Sequence, residues 1–163
     1  MSINTKVEKA INTQINNELS SYYSYLALSA WLETTSYQGF AQWMRRQSAE
    51  EQEHAMKFFD YLNDRGGSVA LEAISAPQAD CKTPLDAFET ALAQERNVTA
   101  QINALYETAS AEKDYATMNF LGWFLEEQIE EEKTAGDFVE KLRLVGDNLS
   151  ALMRLDSLAA KRE

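Results

Sequence analysis

Apolar residues recur at three- and four-residue spacing through four long stretches of this chain, the pattern of amphipathic helices that bury one face. The first stretch runs from about Thr5 to Thr34, with Thr5 and Glu8 spaced as a capping box. After Thr35-Ser-Tyr-Gln-Gly39 the second runs from about Phe40 to Arg65 and stops at Gly66-Gly67. Thr83-Pro84-Leu85-Asp86 opens a third, over about 84–110, with a cap, a proline at the first helical position and an acid at the third. A fourth covers about 115–145 and ends at Gly146, and Asp147 or Asn148 caps a short fifth over about 148–161.

Connection lengths give the topology. Turns of about five residues join the first helix to the second and the third to the fourth, so each pair is expected to be antiparallel. Between the second and third lie about 17 residues, which span roughly 55 Å when extended. A helix of 28 residues is only about 42 Å long. The linker can therefore run the full length of a bundle and leave the second and third helices parallel. The expectation is a single all-α domain over 1–163: a four-helix bundle with one long crossover and a short fifth helix.

The buried stripes are interrupted. The first reads Val7, Ile11, Ile15, then Glu18, then Tyr22, Tyr25 and Leu32. The second reads Phe40, Met44, Gln47, then Glu51 and His54, then Phe58 and Leu62. The third places Glu95 between Leu92 and Val98, with Phe88, Ile102 and Leu105 further out. The fourth places Gln128 and Glu131 after Met118, Leu121 and Leu125, and before Ala135, Phe138 and Leu142. Glu18 and Glu51 lie at similar distances from their shared turn, as do Glu95 and Glu131 from theirs, so all four carboxylates fall at one level. Burying four unpaired carboxylates would cost several kcal/mol each, against a total domain stability of about 5–15 kcal/mol. No lysine or arginine lies on these stripes, so metal cations are the economical counter-charge.

Composition narrows the chemistry. Twenty-six acidic and fifteen basic side chains give a net charge of −11, which disfavours nucleic acid as a partner. No run of about 18 apolar residues suits a membrane span, and the first residues carry no export signal. Cys81 is the single cysteine and reads as a loop residue, so no internal disulfide forms and a reducing cytoplasm is the expected location. His54 is the only histidine; Glu51-x-x-His54 sets a carboxylate and an imidazole side by side on one helical face. Oxygen-rich ligation with one imidazole suits iron or manganese and not a closed structural zinc site. One ion would take Glu18, Glu51 and His54, and a second would take Glu51, Glu95 and Glu131, with Glu51 bridging. Gln128 would tune the second site by hydrogen bonding.

On Glu18 with Tyr25 seven residues later, Glu50-Glu51-x-x-His54, Glu95, and Asn119-Phe-Leu-Gly-Trp123-Phe-Leu-Glu-Glu-Gln128-Ile-Glu-Glu131-Glu-Lys133, the chain resembles the prokaryotic non-haem ferritins over essentially its whole length. The resemblance implies a ferroxidase that oxidises ferrous iron with dioxygen or hydrogen peroxide and stores the ferric product as an oxyhydroxide mineral. The container implied is a hollow homo-oligomeric shell, typically of twenty-four subunits. It also implies a third iron site at Glu50, Glu127 and Glu130, and places Tyr25 where it can supply an electron. Trp123 reads as packing, and Glu126 and Glu132 as a hydrated face. Bacterioferritins carry a second Glu-x-x-His where this chain has Gln128-x-x-Glu131, and a haem-binding methionine where it has Gln52, so haem is not expected. A di-iron oxidase or peroxidase without a cage, and a non-enzymatic helical interaction module, remain as alternatives.

Overall fold

The computed structural model describes residues 3–161, which form five helices and no strand. They are α1 (Thr5–Glu33), α2 (Gln38–Asp64), α3 (Pro84–Ala111), α4 (Tyr115–Val145) and α5 (Leu149–Ala160). α1 packs on α2 and α3, α3 packs on α4, and α5 packs across the ends of α2 and α4. The start of α2 meets the start of α3 where Phe40 and Trp43 touch Phe88, so these helices are parallel. Tyr61 stacks on Phe120 and Trp43 meets Phe138, so α2 runs against α4.

The helix ends are satisfied partly by local residues and partly from far along the chain. Thr83 accepts from the Asp86 N–H and Asp86 accepts from the Thr83 N–H, a reciprocal cap around Pro84. At α1 the expected pairing of Thr5 with Glu8 does not form. Asn4 caps instead, accepting from Lys6 N at 2.8 Å, and Glu8 turns outward to accept from Ser68 N at 2.8 Å. Asn148, the second of the two expected caps, accepts from Ala151 N at 3.0 Å. α2 begins at Gln38 and has no side-chain cap of its own. Asp156 of α5 supplies one, its carboxylate accepting from Phe40 N at 2.9 Å. The approach needs Gly39, where a Cβ would lie 1.9 Å from the Asp156 carbonyl oxygen. Aspartate at a helix N-terminus also meets the positive end of the macrodipole.

The crossover is bound to α1 by a ladder that the hydrophobic pattern does not reveal. Asn12 donates to Ser68 O at 2.9 Å and accepts from Ala70 N at 2.7 Å. Asn16 donates to Ala70 O at 3.1 Å and accepts from Glu72 N at 2.9 Å. Four helical residues advance about 6 Å and two extended residues about 6.6 Å, so the two repeats stay in step. The asparagine amides act as the edge of a neighbouring strand.

Two apolar clusters flank a polar layer. One joins Tyr25, Leu28, Leu32, Phe40, Trp43, Met44, Phe88, Ala91 and Phe138, with Ala159 of α5. The other joins Val7, Ile11, Ile15, Phe58, Leu62, Val98, Ile102, Leu121 and Phe124. Tyr22, Leu92, Met118 and Leu125, expected in the stripes, are only half-buried. Leu28, Ala91, Thr117 and Phe124 take the fully buried positions, because the helices are rotated slightly from the assumed faces. Between the clusters lie Gln14, Glu18, Gln47, Glu51, His54, Glu95, Gln128 and Glu131, all buried.

Candidate metal centre

Each long helix contributes to the polar layer one turn beyond an apolar anchor: Ile15 before Glu18, Met44 before Gln47, Ala91 before Glu95, and Phe124 before Gln128. Because three- or four-residue steps keep one face, a helix that buries the anchor also buries the polar residue that follows it. Glu18, Glu51 and Glu95 are completely shielded from solvent, and His54 is 4% exposed.

Glu18, Glu51 and His54 place one ligand atom each within 4.8 Å of one another, the only such group of acids, cysteines or histidines among the described residues. His54 Nδ1 lies 3.8 Å from Glu51 Oε1. Both Glu51 oxygens and Glu18 Oε2 are buried and receive no protein donor. The two carboxyl groups can bond each other only by sharing a proton, so burial, and for Glu51 the neighbouring charge of Glu18, makes full ionisation costly. Burial pushes Glu18 up to about 7, with the Gln14 amide and the Glu51 partnership pulling the other way. Burial followed by the charges of Glu18, Glu95 and Glu131 drives Glu51 well above the ordinary carboxylate range. The imidazole is shifted in the opposite sense. Burial, followed by the charge of Lys57, lowers His54 to about 4, which leaves a free lone pair at neutral pH.

Glu95 and Glu131 lie in the same layer but are held differently. The Tyr25 hydroxyl donates to Glu95 Oε1 in a short bond, and Gln128 Nε2 lies 3.2 Å from Glu95 Oε2. Burial raises Glu95, and those two donors partly offset it. Tyr25 is raised well above its ordinary value, first by burial and then by the charge of Glu95, so it remains a neutral donor. Gln47 Nε2 donates to Glu131 Oε2 at 2.8 Å. Neither Glu95 nor Glu131 joins Glu51 in a second group as tight as the first.

The three acids of the expected third site are more open: Glu50 and Glu127 are half-buried and Glu130 is exposed. They do not gather within 4.8 Å either. Trp123 meets the His54 ring edge-on with centroids 5.4 Å apart and carries Lys57 Nζ 4.2 Å from its own ring centre. It thus covers the imidazole from solvent while packing. Sequence reasoning missed Gln14, whose Nε2 donates to Glu18 Oε1 at 2.8 Å. Its place four residues before Glu18 on the same face was the available signal.

The donor set offers an anionic, oxygen-rich cradle with one neutral nitrogen and three oxygens left for a cation, which suits a divalent ion of the iron or manganese type. Comparison with known proteins agrees with this chemistry. Residues 8–145 match the Ferritin-like domain. The chain is 40% identical over 154 residues to the bacterial non-heme ferritin of Staphylococcus haemolyticus, covering 94% of this chain and 93% of that protein. It is 40% identical to the bacterial non-heme ferritin of Staphylococcus aureus over 144 residues, 88% of this chain and 87% of that one. Among solved structures, a ferritin of the archaeon Archaeoglobus fulgidus, described as a novel open pore ferritin, superposes with a TM-score of 0.97 at 46% identity, covering 99% of this chain and 98% of its own. By sequence, fold and the constitution of its buried polar layer, the chain belongs to the ferritin family.

Proposed function

We propose that this chain is an iron-storage ferroxidase that oxidises ferrous iron at a dinuclear centre within the subunit and deposits the ferric product as an oxyhydroxide mineral inside a hollow homo-oligomer. One observation carries the reading: Glu51 is fully buried, both of its oxygens lack a protein donor, and it faces Glu18 and His54. A carboxylate held that way is stable only with a proton or a cation against it.

Glu18, Glu51 and His54 hold one ferrous ion; Glu51, Glu95 and Glu131 hold the second. Glu50, Glu127 and Glu130, with Glu131 shared, offer a third site towards the surface. Ferrous binding displaces the proton that Glu18 and Glu51 share, so loading the centre releases acid. The two ferrous ions each give one electron, reducing dioxygen with two protons to hydrogen peroxide, or hydrogen peroxide with two protons to two waters. The anionic ligands favour the ferric product. Tyr25, bonded to Glu95, stands where it can pass a further electron, its phenolic proton going to the carboxylate. The cage reading draws on the relatives named as ferritins and on exposed Leu144, Leu149, Met153 and Leu158, apolar surface that assembly would cover. Twenty-four subunits in a reducing cytoplasm is the assembly and setting we infer.

Two measurements test this. Anaerobic ferrous titration should saturate at two or three ions per subunit and be followed by rapid oxygen consumption on mixing with air. Sedimentation should find a large closed particle that retains mineral. Fast oxidation by a particle of only one or two subunits would replace storage with a free-standing di-iron oxidase, and failure to bind ferrous iron would remove both.

A further inference from the structure

Glu132 reads from sequence as a hydrated acid, and Thr99 carries no motif. The structure joins them to the centre. Thr99 Oγ1 lies 2.6 Å from Glu132 Oε1 and 3.0 Å from Glu95 O, its own i−4 carbonyl. Gln128 Nε2 lies 3.3 Å from Thr99 Oγ1 and 3.2 Å from both Glu95 O and Glu95 Oε2. Arg96 Nε stands 4.0 Å from the other oxygen of Glu132.

Counting hydrogens decides how this cluster is arranged. A threonine hydroxyl has one proton and two lone pairs. The shorter contact is to a carboxylate, and a charge-assisted O–H bond is the stronger one, so the proton goes to Glu132. That leaves a Thr99 lone pair to accept one Gln128 N–H, while the other N–H is shared between Glu95 O and Glu95 Oε2, each 3.2 Å away. Without Glu132 the hydroxyl would turn back to the i−4 carbonyl, the common habit of threonine in a helix, and compete with Gln128 for it. Thr99, Gln128 and Glu132 line a groove of about 440 Å³ between α3 and α4, so water is at hand to draw the amide away.

We propose that Glu132 and Thr99 are positioning residues for the second half of the dinuclear centre. Glu132 fixes the Thr99 hydroxyl, Thr99 fixes the Gln128 amide, and Gln128 holds the Glu95 carboxylate in the attitude that receives the second ion. The proposal rests on the reading of Glu95 as a ligand. Groups that orient a ligand in this way are typically worth about 10- to 100-fold in metal affinity.

Anaerobic titration with cobalt(II), which resists oxidation, separates the possibilities. The wild type should bind two ions per subunit. Thr99→Val, equal in shape but without the hydroxyl, should weaken the second ion about tenfold and leave the first unchanged. Thr99→Ser should restore the affinity, and Glu132→Gln should show a smaller loss at the same ion. Unaltered second-ion affinity in Thr99→Val, equal weakening of both ions, or failure of serine to rescue would overturn the proposal. A wild type whose second-ion affinity is indifferent to Glu95→Ala would overturn the ligand reading and this proposal together. Sensitivity to Glu95→Ala but not to Thr99→Val would overturn this proposal alone.

Discussion

Glu18 and Glu51 face His54 with three oxygens that no protein donor reaches, whereas Glu95 and Glu131 are each gripped by neutral donors from other positions in the bundle. Both pairs are buried to the same degree, so burial alone does not account for the difference. In the proposed centre the Glu18 and Glu51 half has no protein counter-charge, so a cation or a shared proton has to supply it. The second half is oriented in advance, and its donors must share lone pairs with any ion that arrives. The contrast predicts an order of loading, with the Glu18 and His54 side filled first.

The most severe way to break this contrast is to remove Glu51, the residue that the proposal makes common to both halves. Glu51→Ala should abolish fast ferrous oxidation, a loss of at least about a hundredfold in stopped-flow rate, with assembly intact by sedimentation. His54→Ala also removes fast oxidation but should retain one bound ion per subunit in an anaerobic titration, where Glu51→Ala retains none at this layer. Equal residual binding in the two variants would erase the bridging role. Tyr25→Phe should act on one half alone, weakening the second ion by about tenfold while the first is unmoved.

Protonation sharpens the comparison without any metal. Glu18 titrates near 7 in the folded chain against an ordinary value of 4.5, so between those values the folded state holds a proton that the unfolded state has released. Stability from this group therefore falls as pH rises through that window, by an amount on the order of 3 kcal/mol at the upper end. His54, lowered to about 4 from 6.5, acts in the opposite direction and costs stability as pH falls through its own window. Glu18→Gln leaves the histidine contribution in place and removes the carboxyl one. The variant's gain in melting temperature over the metal-free wild type should thus widen from pH 5 to pH 8. A gain independent of pH would show that Glu18 is ionised throughout. The smallest expected effect lies outside both halves: Asn16→Ala should cost about 1–2 kcal/mol in urea unfolding and leave both ion affinities unchanged.

The level of the polar layer was legible in the sequence because helical period and turn length are local quantities. Glu18, Glu51, His54, Glu95, Gln128 and Glu131 interrupt their stripes at matching distances from the turns, and all are buried between the two apolar clusters. What each side chain touches was not legible. The Tyr25–Glu95 bond spans 70 residues and the Asp156–Phe40 bond spans 116, and both depend on helix rotations that periodicity gives only to within a fraction of a turn. The same uncertainty misplaced Tyr22 and Leu125, which slid to the margin while Leu28 and Phe124 moved inward. The asparagine ladder escaped for another reason. Asn12 and Asn16 look like any polar helix surface until an extended chain is laid against them.

The reach from Asp156 back to the start of α2 also sets a timetable. Translation at about 5–20 residues per second separates Phe40 from Asp156 by roughly 6 to 23 seconds, whereas helices form in about a microsecond. During synthesis α1 and α2 can pair as a hairpin, but α2 waits with its first turn unserved and Gly39 bare to water. α5 closes the corner at the start of α2 yet emerges long after it, so the nascent chain stays open at that end until α5 arrives.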